Sequence, residues 1–89
     1  MSERNRITAS TRVAIEFLTV WLEWDRESAT EHIYRVLKDP DGPTADMAIV
    51  GLLNLSMLLG FEMAKAQGAE DLQDRVRKYL SNLSAQLPE

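Results

Sequence analysis

Apolar residues recur at helical spacing along the chain, and no stretch shows the alternation of period two that marks a strand. The strongest break is Asp39-Pro40-Asp41-Gly42-Pro43, a turn by its Pro and Gly content, followed by Gly68 and by Pro88 near the end. The pattern predicts an all-α chain, a compact four-helix bundle-like domain over residues 10–87. A long central apolar helix occupies about 43–67 in this reading, and residues 1–9 form a flexible basic N-terminal arm.

The first helix is expected from about Ser10 to Trp24. Val13, Phe17, Val20, Trp21 and their apolar neighbours fill an arc of about 220°, leaving Glu16, Thr19 and Glu23 as its polar side. The second is expected from about Ser28 to Lys38, with Ser28-Ala29-Thr30-Glu31 as a capping box. Its apolar stripe lies roughly 100° from that of the first helix if the two are continued as one, so a break is expected at Asp25-Arg26-Glu27. Pro43 suits the first position of the third helix and Gly68 the left-handed residue past its end. The fourth, about Glu70 to Gln86, carries a narrow stripe of Leu72, Val76, Tyr79, Leu80, Leu83 and Leu87.

These helices are not alike. The second and fourth have one apolar stripe each, but the third is apolar in nearly every direction over Met47–Phe61, and such a helix must be covered all round. Too few partners exist in one short chain, so a homodimer is expected, with Val13, Phe17, Trp21, Asn54, Ser56, Gly60 and Ala64 at its interface. A monomer with a central third helix and some exposed apolar surface is the alternative. Ser56, Gly60 and Ala64 recur every four residues and form a ridge that lets another backbone approach. Asn54 lies in an apolar setting and needs a partner. A self-pair across a two-fold axis would fix register; a carbonyl or a water of the same chain is the other solution.

Composition narrows the classes of function. The chain has 89 residues, with 14 acids against 10 bases, a net charge of −4, one histidine and no cysteine. That excludes a disulfide scaffold, a thiolate metal site and cysteine catalysis, and argues against general nucleic-acid binding. The polar start Met1-Ser2-Glu3-Arg4-Asn5-Arg6 does not read as a secretory leader. The uncharged run from Met47 to Phe61 falls short of the ~20 residues of a membrane span and contains Asn54, Ser56 and two glycines, so a buried soluble helix and a cytoplasmic protein are expected.

Candidate chemistry is sparse. His32 has no second histidine, and Ala29 stands where a carboxylate-bundle metal motif needs Glu, so no metal, cofactor or catalytic residue is assigned. Glu31–Arg35, Asp71–Arg75 and Asp74–Lys78 are spaced i to i+4, and Glu62–Lys65 i to i+3, so most acids read as helix-surface charges and the chain as no enzyme. A helix-turn-helix fails because the would-be recognition helix offers Met, Ala, Ile, Val and Leu, with Lys65 its only base. Arg4, Arg6 and Arg12 could still touch phosphate, which leaves a DNA-associated accessory protein as an alternative. A pocket of Met47, Met57, Met63 and Trp21 holding a small apolar ligand is another. Tyr34, off the stripe of its helix beside Arg35 and Lys38, marks a possible surface for an unidentified protein partner.

Trp24-Asp25-Arg26-Glu27-Ser28-Ala29, Leu37-Lys38-Asp39-Pro40, Ala66-Gln67-Gly68 and Glu70-Asp71-Leu72 together make residues 13–87 resemble short uncharacterised all-helical proteins of actinobacteria and their phages. The resemblance implies a bacterial, cytoplasmic setting and no particular activity. The expectation is a non-enzymatic helical interaction or regulatory protein.

Overall fold

A computed structural model describes residues 3–88. The chain is all-α, with four helices and no strand among the described residues: α1 (Glu3–Glu23), α2 (Arg26–Lys38), α3 (Ala45–Ala66) and α4 (Leu72–Gln86). Two compact units divide between Leu55 and Ser56, inside α3.

In the first unit, α1 starts at Glu3 rather than near Ser10, so the segment expected as an arm is helical from Glu3 on. Local polarity hid this. Ser10 and Thr11 are the buried polar residues among those described, and both meet α3, at Gly51 and Asn54. A β-carbon at Gly51 would stand 1.9 Å from the Ser10 carbonyl oxygen, so the α1 and α3 backbones meet where Gly51 has no side chain. Thr11 Oγ1 donates to the Ile7 carbonyl at 2.7 Å and accepts from Asn54 Nδ2 at 2.8 Å. With Ala14, Phe17, Val20, Ala29 and Ala48, these residues form the buried part of the unit.

The break between α1 and α2 falls at Trp24 and Asp25, slightly before the expected Asp25-Arg26-Glu27, and α2 starts at Arg26 and not at Ser28. The cap differs from the expected Ser28 box: Asp25 caps α2, its Oδ1 accepting from the Ser28 backbone N–H at 2.9 Å. Asp25 precedes Ser28 by three residues, so its carboxylate reaches the orphan N–H of the first turn. The turn after α2 closes through Asp39, whose Oδ1 accepts from the Asp41 N–H and whose carbonyl accepts from the Gly42 N–H. The cap of α3 is Thr44 and not the residue before a helical Pro43. Thr44 Oγ1 accepts from the Met47 N–H, and its carbonyl from the Ala48 N–H.

The second unit holds the end of α3 and α4. Gly68 takes φ +74°, and the Ala69 and Gly68 N–H groups donate to the Ala64 and Lys65 carbonyls, the paired bonds of a Schellman ending. Asp71 caps α4 through the Asp74 N–H. Its carboxylate is thereby engaged, and Arg75, expected to pair with it, instead donates to Gln67 Oε1 at 3.2 Å; Tyr79 Oη donates to the same oxygen. The other three expected pairs form at 3.4–3.7 Å: Glu31–Arg35, Glu62–Lys65 and Asp74–Lys78.

Candidate interaction site

The dominant feature is apolar surface left open. In the first unit Ile49, Val50 and Leu53 of α3 are exposed, Leu53 by 67%, as are Ile15, Leu22 and Trp24 of α1 and its end. In the second unit Met57, Leu58, Leu59 and Met63 are exposed on α3, Leu80 and Leu83 on α4, and Leu87 just past its end. The side of α3 that is covered carries small residues: Ala48 and Gly51 in the first unit and Ala64 in the second. The third helix therefore covers Ala48, Gly51 and Ala64 and leaves most of its large side chains exposed, with Met47, Leu55 and Phe61 half-buried. That reverses the expectation of a buried helix for this segment, because the close backbone contact at Gly51 selects the small-residue face.

A groove of about 390 Å³ lies in the first unit. Phe17, Leu18 and Trp21 of α1, Ile33 and Leu37 of α2, and Ala45, Ala48, Ile49 and Leu52 of α3 line it. No polar side chain is among them. Trp21 also carries the Arg26 guanidinium 4.3 Å over its ring, and Arg26 Nη1 donates to the Trp21 carbonyl, which orients the ring at the groove edge. A second recess, about 480 Å³, mixes Ile7, Met47 and Val50 with Arg6, Thr44 and Asp46.

The residues expected at an interface divide by role. Phe17 is buried to 4% exposure, Val13 is half-buried and Trp21 is exposed at the groove. Asn54 is bonded within its own chain, the second of the two solutions considered, although its partner is the Thr11 hydroxyl and not a carbonyl or a water. Ser56 is exposed. Gly60 faces Val76 of α4, whose methyl carbons lie 3.0 and 3.2 Å from where a β-carbon would be, and Ala64 is fully buried. The small-residue ridge thus receives α4 of its own chain.

The expected partner surface is internally engaged. Lys38 Nζ sits 4.3 Å over the Tyr34 ring and Arg35 pairs with Glu31, though Tyr34 stays 60% exposed. His32 packs edge-on to Trp24, ring centroids 5.1 Å apart, with Nε2 shielded from solvent and 3.6 Å from Glu16 Oε1. Of the four residues expected around an apolar ligand, Trp21 lines the groove and Met47 the second recess of the first unit, while Met57 and Met63 are exposed in the second unit. Among the described residues, no group of three or more His, Cys, Asp or Glu is placed to share a metal ion.

Sequence reasoning missed Ser10, Thr11 and Gly51. A signal was present: Ala48 and Gly51 on one helix and Ser10 and Ala14 on the other are small residues three and four apart, as a close helix contact requires.

By length and composition α3 could cross a membrane, and only 17% of its most apolar stretch is buried. The same composition occurs in core helices of soluble proteins, and there it is mostly buried.

No family model matches the chain, and neither the curated proteins nor the solved structures contain a match.

Proposed function

We propose that this chain is a non-enzymatic helical interaction protein that works as a homodimer, its apolar α3 surface covered by protein. The carrying observation is the open apolar face of α3: Ile49, Val50 and Leu53 in the first unit and Met57, Leu58, Leu59 and Met63 in the second are each 42–67% exposed, a run of large apolar side chains of the kind that marks an interaction surface. Asn54 and Ser56 in the middle of α3, with Asp46, Glu62 and Lys65 toward its ends, favour a protein cover over lipid. The bacterial, cytoplasmic setting rests on the resemblance stated above.

Light scattering behind size exclusion, from micromolar to sub-micromolar protein, tests this. A mass near twice 10.1 kDa that persists on dilution is the expected result. A monomer that stays in solution refutes self-association. A chain that sediments with zwitterionic vesicles refutes the protein cover.

The groove favours one further reading, a small apolar ligand, since its 390 Å³ lies within the roughly 300–1,000 Å³ of ligand sites. Native mass spectrometry of freshly purified protein would reveal such a passenger.

A further inference from the structure

Resting on the reading of this chain as self-associating, we infer that the groove of the first unit receives the C-terminal half of α4 from a second copy. Three observations converge on this occupant.

The groove walls come from three helices, with Phe17, Trp21, Ile33, Leu37 and Ile49 among them, and no polar side chain lines it. It therefore selects an aliphatic or aromatic insert and offers nothing to orient a polar one. The end of α4 presents such an insert. Leu80 and Leu83 lie at i and i+3 on α4, the spacing with which an amphipathic helix anchors in an apolar groove, and Leu87 follows directly past the helix end. They are 61%, 56% and 70% exposed, although the same stripe one turn earlier, at Val76, is packed against Gly60.

Charge distinguishes this occupant from other apolar helices. Residues 13–52, which carry the groove, hold eight acids against three bases, a net −5. The first two turns of α4 hold Arg75, Arg77 and Lys78 against Asp74, a net +2, directly before the uncharged segment 79–87 that forms the insert. Opposite fields steer the two surfaces together, whereas two copies of the acidic segment repel. Each copy carries one groove and one α4, so a two-fold axis satisfies both grooves at once and closes the assembly as a dimer.

The chain has no cysteine, which makes disulfide trapping clean. Ile49→Cys places a thiol at the groove wall and Leu83→Cys places one on α4; both positions are exposed, so neither change burdens the fold. The two single variants, one with an affinity tag, are mixed and air-oxidised. The expected product is a disulfide between the two variants at about twice 10.1 kDa, formed at least tenfold faster than either variant forms one with itself.

Three outcomes overturn the inference. If Ile49→Cys crosslinks mainly with itself while light scattering still gives a dimer, α3 meets α3, and self-association stands without the groove contact. If the double variant closes a disulfide within a 10.1 kDa monomer, α4 occupies the groove of its own chain. If the unaltered protein is a monomer throughout, both readings fall together.

Discussion

Asn54 Nδ2 donates to Thr11 Oγ1 at 2.8 Å across 43 residues of sequence, and the same hydroxyl donates to the Ile7 carbonyl at 2.7 Å. The relay holds the polar start of α1 on the apolar helix α3 and saturates the single proton of the threonine. It lies one turn from the Ser10–Gly51 contact, so a hydrogen bond and a close backbone approach secure the same crossing.

The relay makes its two ends unequal. Thr11→Val removes the acceptor and strands the Asn54 amide, which should cost about 1–3 kcal/mol. Asn54→Leu leaves the Thr11–Ile7 bond in place and should cost less. The double variant should be the closest to the parent. Urea unfolding followed by circular dichroism checks the order. Asn54→Leu should also keep the parent mass in solution, because the partner of Asn54 is internal; a changed mass would assign Asn54 to an interface.

The glycines of α3 should respond differently to alanine. At Gly51 the new methyl would meet backbone, the Ser10 carbonyl oxygen at 1.9 Å, and the helices must separate. A loss of about 3 kcal/mol or more, or no cooperative melting, is expected. At Gly60 the methyl meets the Val76 side chain at 3.0 Å, which can shift, and the better helix propensity of alanine offsets up to about 1 kcal/mol of the cost. Thermal melts of Gly51→Ala and Gly60→Ala should therefore differ widely.

Asp25 gives the first cap a pH dependence. The Ser28 backbone N–H, and next the Ser28 side chain, donate to its carboxylate and lower its pKa from the ordinary 3.8. A lowered pKa in the folded chain means that the contribution is present above the unfolded value and fades as pH falls through the folded one. Asp25→Asn should keep the cap at neutral pH while losing that acid dependence, and Asp25→Ala should melt lower at neutral pH. The gap between Asp25→Ala and the parent should close in strong acid. Melting temperatures across an acid series decide it; a gap that persists would place the stabilisation elsewhere.

The open face of α3 should be replaceable without harm to the fold. Leu53 is 67% exposed in the single chain, so Leu53→Gln should leave helix content, and unfolding measured at concentrations where the chain is dissociated, unchanged within about 0.5 kcal/mol. If this face is covered on association, the same change should weaken the dimer by tenfold or more, since a buried leucine contributes about 1.5–3 kcal/mol. Dilution series by light scattering read the second effect, circular dichroism the first.

Much of this protein is local and was legible without coordinates. The turn at Asp39–Pro43, the left-handed Gly68, the break before α2 and three of four spaced ion pairs depend on residues within about five positions of one another, where helix geometry alone sets the outcome. The excess apolar arc of the third helix was equally visible, since it follows from period and residue type.

Which part of that arc is covered was a tertiary decision. Gly51 accepts the Ser10 backbone because two helices far apart in sequence cross there, and that crossing turns Ala48 inward and Ile49 and Leu53 outward. The same contact draws the polar residues before Thr11 into α1, against their appearance as an arm. Asn54 found Thr11 for the same reason. A buried polar atom takes whatever partner the packing brings within reach, and sequence spacing cannot name a partner 43 residues away.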